Sequence, residues 1–129
     1  MKYRVHHCHL ICSDLEQMIT FMTETLGADL VERRKFGAAD GATLDLAGNR
    51  INLRVARDDE TVVGDASETR YGYDHLGLEV DDVDRAFDDL TAKGYKFTVT
   101  PRDADPWRIA FFKGPDNITI ELVQVLQFS

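Results

Sequence analysis

The chain has 129 residues, 43% of them apolar, and a formal net charge of −8. That is enough for one domain with its own buried core and no need of disulfides or a structural metal, and the acidity excludes phosphate-backbone binding, which relies on clustered Lys and Arg. No apolar run approaches the roughly 18 residues of a membrane span, and the opening Met1-Lys2-Tyr3-Arg4-Val5 lacks the apolar stretch of a secretory signal, so a cytoplasmic protein with neither nucleic-acid nor membrane partners is expected.

In chain order, alternation predicts a first strand over Val5 to Cys12, with Cys8, Leu10 and Cys12 on one face and His7 and His9 on the other. At about 3.3 Å per residue the two cysteines stand roughly 13 Å apart along that strand, too far to bridge, so both are read as buried free thiols. Ser13 is expected to cap a helix, with Glu16 completing a capping box. Leu15, Met18, Ile19, Met22 and Leu26 then recur at helical spacing up to the stop at Gly27. Strands follow over Asp29 to Phe36, Ala42 to Leu46 and Ile51 to Val55. A polar connection, about 58–73, ends in Tyr71 and Tyr73, and its length suits a lid or a linker. Beyond it lie a strand over Asp74 to Val80, a helix marked by Val83, Ala86, Phe87 and Leu90 that ends at Gly94, and strands over Lys96 to Thr100, Arg108 to Phe112 and Ile118 to Val125.

This order repeats itself. His7 opens a run that reaches Asp14 seven residues later, and His75 opens one that reaches Asp82, 68 positions further on. Ile51-Asn52-Leu53 and Ile120-Glu121-Leu122 close the two halves, 69 apart. The expected fold is α+β: two tandem βαβββ modules, about 1–57 and 74–129, joined by the linker and sharing a curled mixed sheet around a metal-binding cleft, with the helices outside. Residues 1–129 form the single domain.

Parity selects the cleft. Ile51, Leu53 and Val55 face the helix of their module, leaving Arg50, Asn52 and Arg54 opposite. Ile118, Ile120 and Leu122 do the same, leaving Glu121 opposite. His7 and His75 share that outward parity. Two imidazoles and a carboxylate, His7, His75 and Glu121, suit one divalent ion of the Fe, Ni, Co, Mn or Zn group and leave positions open for water or substrate. His9, Asp45, Glu79 and Asn52 also face the cleft. A proton-transfer reaction needs a base there, for which Asp45, His9 and Glu121 itself are the candidates. Arg54 and Arg50 suit a substrate carboxylate or phosphate, and Asn52, Phe112 and Tyr73 are further candidates for contact with a small-molecule substrate.

The chain resembles the vicinal oxygen chelate superfamily, which includes glyoxalase I, methylmalonyl-CoA epimerase, extradiol dioxygenases and antibiotic-resistance proteins. The resemblance spans essentially the whole chain. It rests on His7 with Ser13-Asp14-Leu15-Glu16, on Leu26-Gly27, on His75 with Asp82, and on the closing run from Ile109 through Phe111-Phe112-Lys113-Gly114-Pro115-Asp116-Asn117 to Ile120-Glu121-Leu122. It implies paired βαβββ modules, a metal chelating two substrate oxygens with Glu121 as the last ligand, and an acidic base on the first module, for which Asp45 is placed. Asn52 stands where glyoxalase I has Glu and the epimerase Gln. With Asn52 ligating, the resemblance implies a lyase or isomerase; without it, His7, His75 and Glu121 resemble the Fe(II) triad of the dioxygenases. A metal-free binding or resistance protein is the third reading. The superfamily forms its clefts both within chains and between them, and a homodimer is expected because two-fold pairs are the commonest assembly.

Overall fold

The computed structural model describes residues 1–126, so the last three residues of the second module lie outside the described residues. The chain divides into two compact units, one from Met1 to Val63 and one from Gly64 onward. In the first unit β1 (Cys8–Ile11) leads to α1 (Leu15–Thr20), a π-helical turn (Phe21–Thr25), β2 (Asp29–Phe36), β3 (Ala39–Leu46) and β4 (Asn49–Arg54). In the second, β5 (Leu76–Glu79) leads to α2 (Val83–Ala92), β6 (Phe97–Ala104), β7 (Trp107–Lys113), a 3-10 turn (Pro115–Asn117) and β8 (Thr119–Val125). Each unit is therefore a βαβββ module. Among the described residues no helix is long and apolar enough to cross a membrane.

The expected shared sheet is corrected to two. Each module builds its own four-stranded mixed sheet, in the order β1-β4-β3-β2 and β5-β8-β7-β6. In both, the first strand runs parallel to the last and the remaining pairs are antiparallel. Each module thus completes a sheet from its own strands, because the helical crossover returns the chain to a place where β4, or β8, can lie beside the first strand.

Apolar periodicity explains the packing. Met18, Ile19, Phe21 and Met22 bury one side of α1 and its π turn against the module's sheet, where Ala42, Leu44, Ile51 and Leu53 are buried. In the second module Val83 and Leu90 of α2 meet a sheet face buried through Ile109, Ala110, Phe112, Ile120 and Leu122. The alternate residues of each strand face the other way, and these carry the candidate site.

Both helices start on aspartate. Asp14 Oδ1 accepts from the Gln17 amide at 3.0 Å, and Asp82 Oδ1 from the Arg85 amide at 3.0 Å. The expected Ser13 cap is corrected to Asp14, because the extended residue next to Leu15 is the one whose carboxylate reaches the free amides of the first turn. Glu16 forms a two-pronged pair with Arg33 of β2. The first helix is also shorter than its apolar stripe. After Thr20 the backbone widens, and the Leu26 amide donates to Phe21 O at 3.1 Å, five residues back. Cys12 is buried and Cys8 half-buried, and both are free thiols.

Replacing either cap should cost about 1 kcal/mol. Asp14→Ala and Asp82→Ala are each expected to lower the chemical-denaturation midpoint without changing the slope, and a loss from neither would show that the caps carry no stability.

Candidate functional site

The ladder of β1 and β4 starts at Cys8 opposite Ile51 and places His9 opposite Asn52. Asn52 in turn lies opposite Thr43 of β3. Thr43 Oγ1 donates to Asn52 Oδ1 at 2.8 Å, and both residues are buried. The His9 ring meets the edge of Phe36 with centroids 4.5 Å apart. Gly41 makes that possible: a Cβ there would sit 2.3 Å from Leu53 O and 2.6 Å from the Phe36 ring, so only glycine leaves room for Phe36. Partial burial, with Arg54 and then His7 nearby, lowers the pKa of His9 and favours its neutral ring.

His7 lies one residue before β1, exposed, its ring centroid 6.0 Å from that of His9. Its Nδ1 sits 2.9 Å from Nδ1 of His6. Asp45 is opposite Arg50 near the β3–β4 turn and accepts from the Gly48 amide at 3.4 Å. Arg54 is engaged elsewhere. Its guanidinium grips Glu60 through two bonds of 2.6 and 3.0 Å, and Glu60 also accepts from the Arg57 amide at 2.8 Å. The Arg54 contact holds the Glu60 carboxyl well down, at about 2.

The second module repeats the register. Gly77 of β5 lies opposite Glu121 of β8, and Glu121 opposite Phe111 of β7. His75, one residue before β5, brings Nε2 to 3.1 Å from Glu121 Oε1. On its other side Nδ1 is 2.7 Å from Asp74 Oδ2. Asp74 first, and Glu121 with it, raises the His75 pKa against partial burial. The Phe111 ring stands edge-on to His75 with centroids 5.3 Å apart. The space beside Gly77 does not itself demand glycine, since a Cβ there would meet Glu121 Oε1 at 3.6 Å, an ordinary contact. Glu79 shares this face and is exposed. Tyr73 is also exposed.

Of the expected site residues, the second unit brings His75 and Glu121 into direct contact. His9 and Asn52 are neighbours in the first, with His7 beside His9. Phe112 is corrected: the pleat carries it to the helix-packed face, where it is fully buried against Phe97 and Tyr95, and the ring beside Glu121 is Phe111. Four participants escaped the sequence reading: Thr43, Phe111, Asp74 and His6. Parity signals the first two, and the 68-residue offset equates His6 with Asp74.

The donors of the second module fit a divalent cation. Two ligands bonded at about 2.1 Å and set at right angles lie roughly 3.0 Å apart, close to the 3.1 Å between Nε2 and Oε1. A carboxylate on the remaining ring nitrogen is the usual outer partner of a metal-bound histidine. Among the described residues no three or more His, Cys, Asp or Glu side chains form a metal-holding group.

Tandem βαβββ modules with a histidine ahead of the first strand and a carboxylate on the last define a duplicated α+β fold of the vicinal oxygen chelate type. The chain belongs to the Glyoxalase/Bleomycin resistance protein/Dioxygenase superfamily, whose profile matches residues 4–122. A probable lactoylglutathione lyase of Vibrio parahaemolyticus is 31% identical over 133 residues, covering 98% of this chain and 94% of that one. A glyoxylase/bleomycin resistance protein/dioxygenase domain from Frankia sp. EAN1pec superposes with TM-score 0.79 at 26% identity, over 97% of this chain and 99% of that one. The fosfomycin resistance protein FosX of Listeria monocytogenes, solved with Mn(II) and sulfate, shares the fold with TM-score 0.72 at 19% identity, over 96% and 93% of the two chains.

The Arg54–Glu60 pair yields a prediction with a definite sign. A carboxyl depressed to about 2 from an ordinary 4.5 contributes stability that is fully present above about pH 5 and fades as pH falls towards 2. The melting-temperature gap between wild type and Glu60→Gln should therefore be widest near neutrality and close in acid; a gap that does not depend on pH would exclude the ion pair as its source.

Proposed function

We propose that the chain is a metal-dependent lyase or isomerase that moves a proton next to a chelated carbonyl of a small substrate. The observation that carries this reading is the His75–Glu121 pair, an imidazole nitrogen and a carboxylate oxygen at the spacing of adjacent ligands with Asp74 behind the ring. In this reading His7 supplies a further imidazole and Asn52 the fourth ligand. The ion would be a divalent Fe, Ni, Co, Mn or Zn, acting as a Lewis acid towards two substrate oxygens. The superfamily membership and the lyase-named relative support the reaction class.

The chain's own residues take distinct parts. Glu121 and Asp45 are the carboxylates available to accept a proton, and His9 presents its ring on the same face of its module as Asn52. Phe111, rather than Phe112, gives an apolar wall beside His75, and the exposed Tyr73 an aromatic side chain for a substrate. With Arg54 gripped by Glu60, Arg50 is the cation of that strand left to meet a substrate anion. A cytoplasmic homodimer completes the proposal, consistent with the preference for two-fold assemblies.

One observation favours a second reading. Asn52 Oδ1 already accepts from Thr43, and an amide retained there leaves two imidazoles and one carboxylate, the donor set of Fe(II) enzymes that activate oxygen.

Metal analysis of protein purified without oxygen decides between them. Wild type is expected to hold about one divalent ion per chain, lost in both His7→Ala and His75→Ala. Asp45→Ala should keep the ion and lose about 10²- to 10⁴-fold in kcat in the lactoylglutathione lyase assay. Iron accompanied by oxygen uptake with a catechol would move the assignment to the second reading. Failure to take up any of the five ions on titration would refute both enzymes and leave a metal-free binding protein.

A further inference from the structure

We propose that Asp74 and His6 are positioning residues, each holding Nδ1 of the histidine that follows it so that Nε2 is the nitrogen offered to a metal ion. This rests on the metal-dependent reading above. Its basis is one contact made twice. Asp74 Oδ2 is 2.7 Å from His75 Nδ1, and His6 Nδ1 is 2.9 Å from His7 Nδ1. The two partners occupy the same place in the repeat, 68 positions apart, although one is a carboxylate and the other an imidazole.

The local backbone explains how neighbours can meet. Within a strand, adjacent side chains point to opposite faces and cannot bond. Both pairs lie just ahead of their strands, which begin at Cys8 and Leu76. The chain there is free of the pleat, so residue and neighbour can turn together. Packing gives no reason for the contact: the Asp74 side chain is 78% exposed and His6 is exposed.

The chemistry then fixes which nitrogen is offered. A carboxylate only accepts, so His75 Nδ1 carries a proton held by Asp74. Nε2, which faces Glu121 and donates to it while no cation is bound, is the nitrogen left to exchange its proton for a cation. Between two imidazoles one nitrogen must donate. With His7 donating from Nδ1, His6 accepts and His7 Nε2 keeps its lone pair. The charged acceptor strengthens its histidine more than the neutral one does, which makes His75 the stronger of the two ligands and His7 the weaker.

Zn(II) competition against a chromophoric chelator on the full chain, read beside ¹⁵N spectra of the imidazoles, tests this. Asp74→Ala should weaken Zn(II) binding by about 10- to 100-fold while the melting temperature of the metal-free protein stays unchanged. Asp74→Asn, whose amide oxygen can accept the same proton, should recover part of the loss. His6→Asp should tighten binding beyond wild type, a gain that a merely structural role would not produce. In the zinc-bound protein His7 and His75 should keep the Nδ1 proton and coordinate through Nε2. Equal affinity in wild type and Asp74→Ala, or coordination through Nδ1, overturns the assignment and leaves the metal-dependent reading standing. A wild type that takes up no Zn(II), Ni(II) or Mn(II) overturns both.

Discussion

Everything at the candidate site depends on the parallel pairing of the first and last strands of each module. Strands joined by a tight turn place sequence neighbours side by side; β5 and β8 instead bring together residues more than forty positions apart. Because paired residues share a face of the pleat, the pairing of Gly77 with Glu121 determines that a histidine just ahead of β5 reaches the Glu121 carboxylate. A slip of one residue in that ladder would turn Glu121 into the core and Leu122 out of it. The buried Ile120 and Leu122 resist this slip, so core packing and site geometry are one constraint.

The two modules use that constraint differently. In the second, the residue opposite the site carboxylate is Gly77, and Glu121 is left to His75. In the first, the corresponding places hold His9 and Asn52, and Thr43 engages the amide. A buried amide satisfied by a hydroxyl is stable as it stands, whereas a carboxylate beside an imidazole is a pair whose attraction a cation can replace. The duplication thus yields one half rich in ligating charge and one half with neutral donors and acceptors.

Much of this was legible in the sequence. The βαβββ order, the internal repeat and the outward parity of Asn52 and Glu121 follow from strict alternation, because buried Ile51, Leu53, Ile120 and Leu122 leave their neighbours no other side. Strand ends were less legible. The segment Val5 to His7 alternates like a strand but precedes the ladder, which begins only where β4 offers a partner at Ile51. Alternation reports what a strand would bury and says nothing of where its neighbour stops. Phe112 was misplaced for a related reason: in a run of two phenylalanines, composition does not say which ring faces the core, and only the pairing with Ile120 decides it. The cap moved by one residue because Ser13 and Asp14 are both good caps and sequence alone weighs them equally.

Side-chain commitments lie further from what a sequence can reveal. Arg54 has the right parity for a substrate anion, yet Glu60 reaches it from the loop that follows β4, six residues on. The same chain that presents a cation on the open face thereby neutralises it. A guanidinium this poorly exposed, at 13%, with two bonds to Glu60 and a third to Val55 O, has its charge already met, and giving up a desolvated partner is costly. Arg54 therefore serves first as the anchor that brings residues 57–60 back onto β4, and any substrate anion in this half is met by groups that are not already spoken for.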